Sequence, residues 1–337
     1  MEHCHGKASS ISLVISAALI LTMWLLFQGP LTNPISPSST GLYIWDYDTP
    51  NSVPEKLKLE KFDDKAKTFH PLGIDYIASG RKLFVVNLSV DRVGIEIFKL
   101  SAADRKLSHV RTMSHDLIST PNAIASFNGS QFFATNDHYF EKGINPLLST
   151  LETYLALPGG NFIHGNRPAK FKQGEELDVK IMDRLPFANG IAFLNATTLA
   201  VASCGRLEVN LYNVQPTGDT HPTLTHIHTI SLPFLIDNVK SDKRGTLFLA
   251  GHPHPPSIEH MAKNAANCAS PHKAGCEKGA KGLSWISEWS EAGGLKDVYV
   301  GDEYPTSSAM IKDAERGLGM AVGLYARGVL TWEEKEV

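Results

Sequence analysis

The sequence has 337 residues, 42% of them hydrophobic, and a formal net charge of −3. That is enough apolar material for a full globular core. The balance is slightly acidic and no basic stripe runs along the chain, which excludes the electrostatic footprint of a nucleic-acid binder.

The longest apolar run comes first, from Ala8 to Phe27, with only Ser and Thr as polar residues. Twenty helical residues span about 30 Å, the thickness of a bilayer core. Lys7 precedes the run and no convincing small-x-small cleavage site follows it, so residues 1–28 are read as an uncleaved, single-pass signal-anchor, with a cleaved signal peptide as the alternative. Residues 29–40, rich in Pro and Ser, form an extended linker. Three sequons, at Asn87, Asn128 and Asn195, agree with a glycoprotein in the ER lumen or on the extracellular face.

From Gly41 onward the expectation is strand after strand, in an all-β domain covering 41–337. Short apolar segments follow one another at Leu42–Trp45, Lys82–Leu88, Ile95–Leu100, Gln131–Thr135, Thr198–Ser203, Leu207–Val214, Thr246–Gly251, Asp297–Gly301, Met320–Tyr325 and Gly328–Trp332. In one of them Leu207, Val209 and Leu211 alternate with Glu208, Asn210 and Tyr212, the period of a half-buried strand. One hairpin stands out: a strand holding Ile124, a turn at Asn128-Gly129-Ser130, and a second strand over Phe132–Thr135. It carries Asn122 at one end and Asn136-Asp137-His138 at the other.

The hairpin recurs. Ile191 precedes Leu199 and Val239 precedes Leu247 by eight residues, and Ile74 precedes Leu83 by nine. Aligning Leu72, Asn122, Asn189 and Asp237 gives spacings of 50, 67 and 48 residues. A period near 50 with several short strands per unit predicts a β-propeller, and residues 41–332 divide into six blades of about 49. The first strand of every propeller blade lies beside the central axis, so equivalent positions converge there. Asn122, Asn189, Asp237 and Asn238 would then form a ring of hard oxygens around one point, a set suited to calcium.

Residues 252–282 interrupt the strands with prolines, lysines and two cysteines eight apart, and read as a loop insertion with one short helix over Ser257–Ala266. Cys268 and Cys276 allow a local disulfide, two free thiols or, with His272, a zinc site whose spacing matches no standard motif.

The string from Asn122 through Thr-Asn-Asp-His-Tyr-Phe (135–140), then Phe-Ala-Asn-Gly-Ile (187–191), Asp237-Asn238, Gly251-His252-Pro253 and the closing Gly328-Val329-Leu330 resembles the paraoxonase/arylesterase family. The resemblance covers residues 41–332. It implies a six-bladed propeller with calcium in its channel that hydrolyses lactones and aryl esters. By position, Asn122, Asn189, Asp237 and Asn238 become ligands of the catalytic calcium, Asp237 also a candidate to orient or deprotonate water, and His138 and His252 candidate proton carriers. Leu72 and Leu88 stand where the family has a His–His pair, and Ala123 where an Asp serves a second, structural calcium. An early acidic strand is also lacking. One calcium rather than two is therefore expected. The other reading is a propeller that has lost catalysis and acts as a binding or scaffold module in the secretory pathway.

Overall fold

The computed structural model describes residues 41–333 except 50, 51, 63, 64, 90, 92, 128, 168–176, 219, 260, 262–281 and 327. The anchor, the linker, the Asn128 sequon and Cys268, His272 and Cys276 lie outside the described residues. No helix among the described residues is long and apolar enough to cross a membrane.

The described chain is all-β and propeller-like. The first blade orders its strands from the inside as β4 (Pro71–Ile77), β5 (Lys82–Leu88), β6 (Val93–Ser101) and β7 (Lys106–Met113), with β3 (Lys58–Glu60) added parallel on the outer edge. The second holds β8 (Pro121–Ser126), β9 (Gln131–Asn136), β10 (Asn161–Asn166) and β11 (Asp178–Arg184). The third is β12 (Ala188–Phe193), β13 (Thr198–Ser203), β14 (Glu208–Gln215) and β15 (Thr223–Ser231). The fourth is β16 (Leu235–Ser241), β17 (Thr246–His252), β18 (Ser284–Ser290) and β19 (Gly294–Gly301). The fifth has three strands, β20 (Ser307–Asp313), β21 (Leu318–Gly323) and β22 (Leu330–Glu333).

Among the described residues five blades are found, against the six expected from the repeat length. The residues counted toward a sixth go elsewhere: residues 41–60 form a two-stranded ribbon, β1 (Tyr43–Ile44) with β2 (Glu55–Lys56), followed by the edge strand β3. The ribbon joins the first blade to the last. Tyr47 donates to Asp313 at 2.8 Å and Arg316 pairs with Asp48 at 2.9 Å on the fifth-blade side. On the other side Arg105 pairs with Glu55 at 3.4 Å. Leu42, Ile44 and Leu57 share one buried cluster with Phe84 and Phe98 of the first blade and Leu324 beyond β21. Fully burying such side chains contributes about 1.5–3 kcal/mol each, so apolar contact makes up for a missing strand pairing here.

The second strand of every blade, β5, β9, β13, β17 and β21, falls on one of the apolar segments of the sequence. The outer strands β11 and β15 are largely exposed and polar, as DVKIMDR and THIHTIS show, and carry little apolar signal. β14 is not half-buried: Asn210 and Tyr212 are as enclosed as Val209 and Leu211, because the sheet is covered on both faces and its register shifts after Leu211. Leu207, read as its first inward residue, instead takes a left-handed conformation (φ 56°) in the turn before it.

The β9–β10 connection contains a helix that no apolar stripe announced, α1 (Pro146–Tyr154). Its buried residues are Ser149 and Glu152, while Leu147, Leu148 and Leu151 are exposed. The polarity is inverted because Glu152 accepts the main-chain N–H groups of Tyr139 (2.8 Å) and Phe140 (3.0 Å), clamping the turn that follows Asp137-His138. A second helix begins at residue 255, two residues ahead of its expected start.

The three sequons differ in access. Asn195 is exposed on the β12–β13 turn, with its Oδ1 accepting the Thr197 N–H. Asn87 is only 2% exposed and its amide donates to the buried Glu96 at 3.1 Å, so this sequon is closed in the folded chain.

Candidate functional site

The innermost strands pack against one another in the order β4, β8, β12, β16, β20. Each carries a β-bulge near its start, where extra residues are left out of the pairing with the second strand. The irregularities fall at Leu72-Gly73, Asn122-Ala123, Asn189-Gly190, Asp237 and Ser308. A bulge turns a side chain away from the pleat. The four positions aligned by sequence repeat are therefore structurally equivalent, and the fifth blade adds Ser308.

Close approach of these strands depends on glycine. A Cβ on Gly190 would lie 2.3 Å from the Val239 nitrogen and 2.7 Å from the Asn238 Cα. This contact sets Asn189 beside Asp237. The Asp237 carboxylate is 1% exposed and is ringed by donors. Asn238 Nδ2 donates to its Oδ1 at 3.0 Å, His252 Nε2 lies 3.2 Å from its Oδ2, and the Asn189 amide also bonds to it. Asn238 is held in turn by the carbonyl of Ser308 at 3.0 Å. Burial pushes the Asp237 carboxyl above the usual range, and the bonds from His252 and Asn189 pull it part of the way back.

Two buried polar atoms in this cluster have no partner, Asn189 Oδ1 and His252 Nδ1. An orphaned buried acceptor costs about 1–3 kcal/mol. Here the acceptor adjoins a buried carboxylate with no Lys or Arg paired to it among the described residues. Rotating the two amides would aim Asn189 Oδ1 and Asn238 Oδ1 where their nitrogens now point. One carboxylate and two amide oxygens, with Asn122 on the adjacent β8, then make a hard, oxygen-only set that fits calcium. Asn122 is 3% exposed and at the equivalent bulge, but no side-chain bond links it to the other three. Among the described residues no group of three or more His, Cys, Asp or Glu could hold a metal. Any cation here depends on amides.

Asp137 and His138 form a second cluster. His138 Nδ1 lies 3.0 Å from Asp137 Oδ1 and Nε2 lies 2.7 Å from Thr153 Oγ1 on α1. Burial pulls the imidazole down, but the Asp137 and Glu152 charges outweigh it and hold its pKa above the ordinary value. The ring tilts over Phe187, 4.5 Å between centroids, just ahead of Ala188-Asn189. Both ring nitrogens are engaged, whereas His252 keeps one free. Asn136 is structural: its amide accepts the Ser119 and Thr120 N–H groups and donates to Leu117 and Asn161.

Sequence reasoning missed Glu152, Thr153 and Ser308, none of which lies in a readable motif. Cys204, which follows β13 and has no obvious mate in the sequence, is a buried free thiol whose pKa is raised first by burial and then by Asp237 and Asp137.

The family model described as Arylesterase matches residues 14–271 of the chain. Serum paraoxonase/arylesterase 2 of Homo sapiens is 27% identical over 266 residues, covering 75% of this chain and 70% of that protein. The Rattus norvegicus protein of the same name is 30% identical over 208 residues, covering 57% of this chain and 54% of its own length. Among solved structures, a periplasmic gluconolactonase of Pseudomonas aeruginosa superposes with a TM-score of 0.50 at 12% identity, over 87% of this chain and 73% of that one. At that identity the likeness is one of fold.

Proposed function

Because the chain belongs to the arylesterase family, we propose that it is a calcium-dependent hydrolase of lactones and aryl esters, with Asn122, Asn189, Asp237 and Asn238 holding the ion. The observation that carries this reading is the buried Asp237 carboxylate beside the orphaned Asn189 oxygen. Calcium, when bound, would polarise the ester carbonyl and stabilise the oxyanion formed on hydrolysis.

The chain's own groups supply the rest. Asp237 orients the His252 ring through Nε2, leaving Nδ1 to accept a proton from attacking water. Leu72 and Leu88 offer no imidazole of their own. His138 must first give up its bond to Thr153 before it can carry a proton, so its main work is to order the Asp137 turn. His252→Ala is accordingly expected to lower lactone turnover by about 10²–10⁴-fold, the usual worth of a positioned acid–base group. His138→Ala should cost roughly tenfold; the opposite ranking in steady-state assays would reassign the proton carrier.

The test of the reading is lactone and aryl ester hydrolysis followed while free calcium is set by a chelator. Turnover should vanish in excess chelator and return with calcium. Unchanged turnover would refute the mechanism. A protein that melts higher with calcium but hydrolyses nothing in the panel would instead be a binding module, the alternative that Leu72 and Leu88 favour.

The same reading places the chain in the secretory pathway, anchored by residues 1–28 with the propeller lumenal or extracellular. The apolar run at 8–27 and the exposed Asn195 sequon support it.

A further inference from the structure

β16 presents two polar features to the channel: Asp237-Asn238 at its start and Lys240 two residues farther on. At about 3.3 Å per residue, Lys240 lies roughly 10 Å from Asp237 along the axis. Its Nζ donates to the carbonyl of Ile74 at 2.9 Å. Ile74 belongs to β4, and in the ring β8 and β12 separate β4 from β16. The bond therefore crosses the channel. Burial lowers the pKa of Lys240, and the negative charge of the neighbouring Asp75 opposes that and favours the ammonium; the Asp75 carboxylate in turn accepts the main-chain N–H (2.7 Å) and the hydroxyl of Ser126 on β8. One ammonium thus ties the first, second and fourth blades together from inside.

This is also where the family resemblance would put a second, structural calcium, and the residues do not fit one. The carboxylate expected after Asn122 is Ala123. The backbone of Gly73 presses on that position: a Cβ there would lie 2.5 Å from the Ala123 Cα and 2.5 Å from the Asn122 carbonyl. The next residue is Ile74, whose carbonyl Lys240 has taken. What remains is one engaged carbonyl, one carboxylate already bonded to Ser126, and a positive charge. Calcium needs six to eight oxygens and would be repelled by the ammonium.

We propose that the Lys240 ammonium stands permanently in place of a structural calcium, so that the chain takes up one calcium rather than two and holds its first and fourth blades together without metal. A covalently attached cation cannot be lost when calcium falls. Only the Asp237 site would then respond to the calcium level. The inference stands apart from the hydrolytic reading, because its readouts are stability and metal stoichiometry.

Urea titration in excess EDTA tests it. Lys240→Met should lower the midpoint by roughly 1 M, the scale for breaking an enclosed charge contact in a domain of this size. Lys240→Arg, which keeps the charge, should hold the midpoint near the wild-type value. Should Lys240→Met not fold, a normally folded Lys240→Arg supports the same conclusion. In the other arm, the double variant Ala123→Asp with Lys240→Ser, equilibrated with calcium and assayed by atomic emission, should bind one more calcium per chain than the wild type. A Lys240→Met midpoint equal to wild type, a Lys240→Arg as damaged as Lys240→Met, or no additional calcium in the folded double variant would each overturn the proposal.

Discussion

Asp237→Asn is expected to abolish lactone hydrolysis, by about a thousandfold or more, while leaving the fold intact. Asp237 is the one carboxylate of the proposed donor set, and losing it removes the formal charge that holds the cation. A deficit of ~4 kcal/mol in transition-state stabilisation corresponds to about 10³ in rate. The replacement is isosteric, and an Asn at 237 can still accept from the Asn238 amide now 3.0 Å away. Stability should separate the two states of the site. In chelator the wild type keeps a buried carboxylate without a cation, so the variant should melt no lower than wild type. In calcium at a hundredfold excess over Kd, the wild type gains ~2.7 kcal/mol, or roughly 5–10 °C, and the variant gains nothing. Thermal melts with and without calcium read this directly; a variant that keeps both its activity and its calcium shift would remove Asp237 from the site.

Gly190→Ala is expected to damage stability and activity together, although it adds a single methyl group. The atoms it would strike are backbone, the Val239 nitrogen at 2.3 Å and the Asn238 Cα at 2.7 Å, and they cannot rotate away. β12 would have to move off β16. Overpacking of this kind costs ~3 kcal/mol, roughly 6–12 °C in a chain of this size. The movement also draws Asn189 away from Asp237, and a displacement near 1 Å costs about a hundredfold in rate. Gly143→Ala serves as the control, since its nearest contact would be Glu141 at an ordinary 3.8 Å. Equal melting temperatures for the two variants would mean that the β12–β16 contact is not tight.

The equivalence of the candidate site positions is legible in the sequence, because the repeat carries it. Leu72, Asn122, Asn189 and Asp237 were aligned by spacing, and each lies at the bulge of an innermost strand. What spacing could not express is the bulge itself, a register defect created by pairing with the second strand. The support residues were hidden for a different reason. Glu152 lies on a helix whose enclosed side is polar and whose leucines face out, the reverse of the pattern that reveals a helix. Lys240 reads in sequence as an ordinary strand-end charge, and only the crossing of the channel gives it a partner.

Even division of the length gives six blades, where five are found among the described residues. A period near 50 takes no account of Tyr43–Ile44, Glu55–Lys56 and Lys58–Glu60, which form a ribbon and an edge strand. Closure through Tyr47–Asp313 and Arg316–Asp48 joins residues more than 260 positions apart, and no local pattern announces it. Likewise Asn87 carries a formal sequon, yet pairing of β5 with β6 buries its amide against Glu96.

The central claim is that Asn122, Asn189, Asp237 and Asn238 converge on a single calcium ion. Anomalous diffraction from crystals grown in calcium tests it most directly. The account predicts one peak in the channel, with the side-chain oxygens of those four residues at about 2.3–2.6 Å. A calcium peak bound elsewhere, or a channel in which Asn122 and Asn189 turn their oxygens away from Asp237 with calcium present, would contradict it.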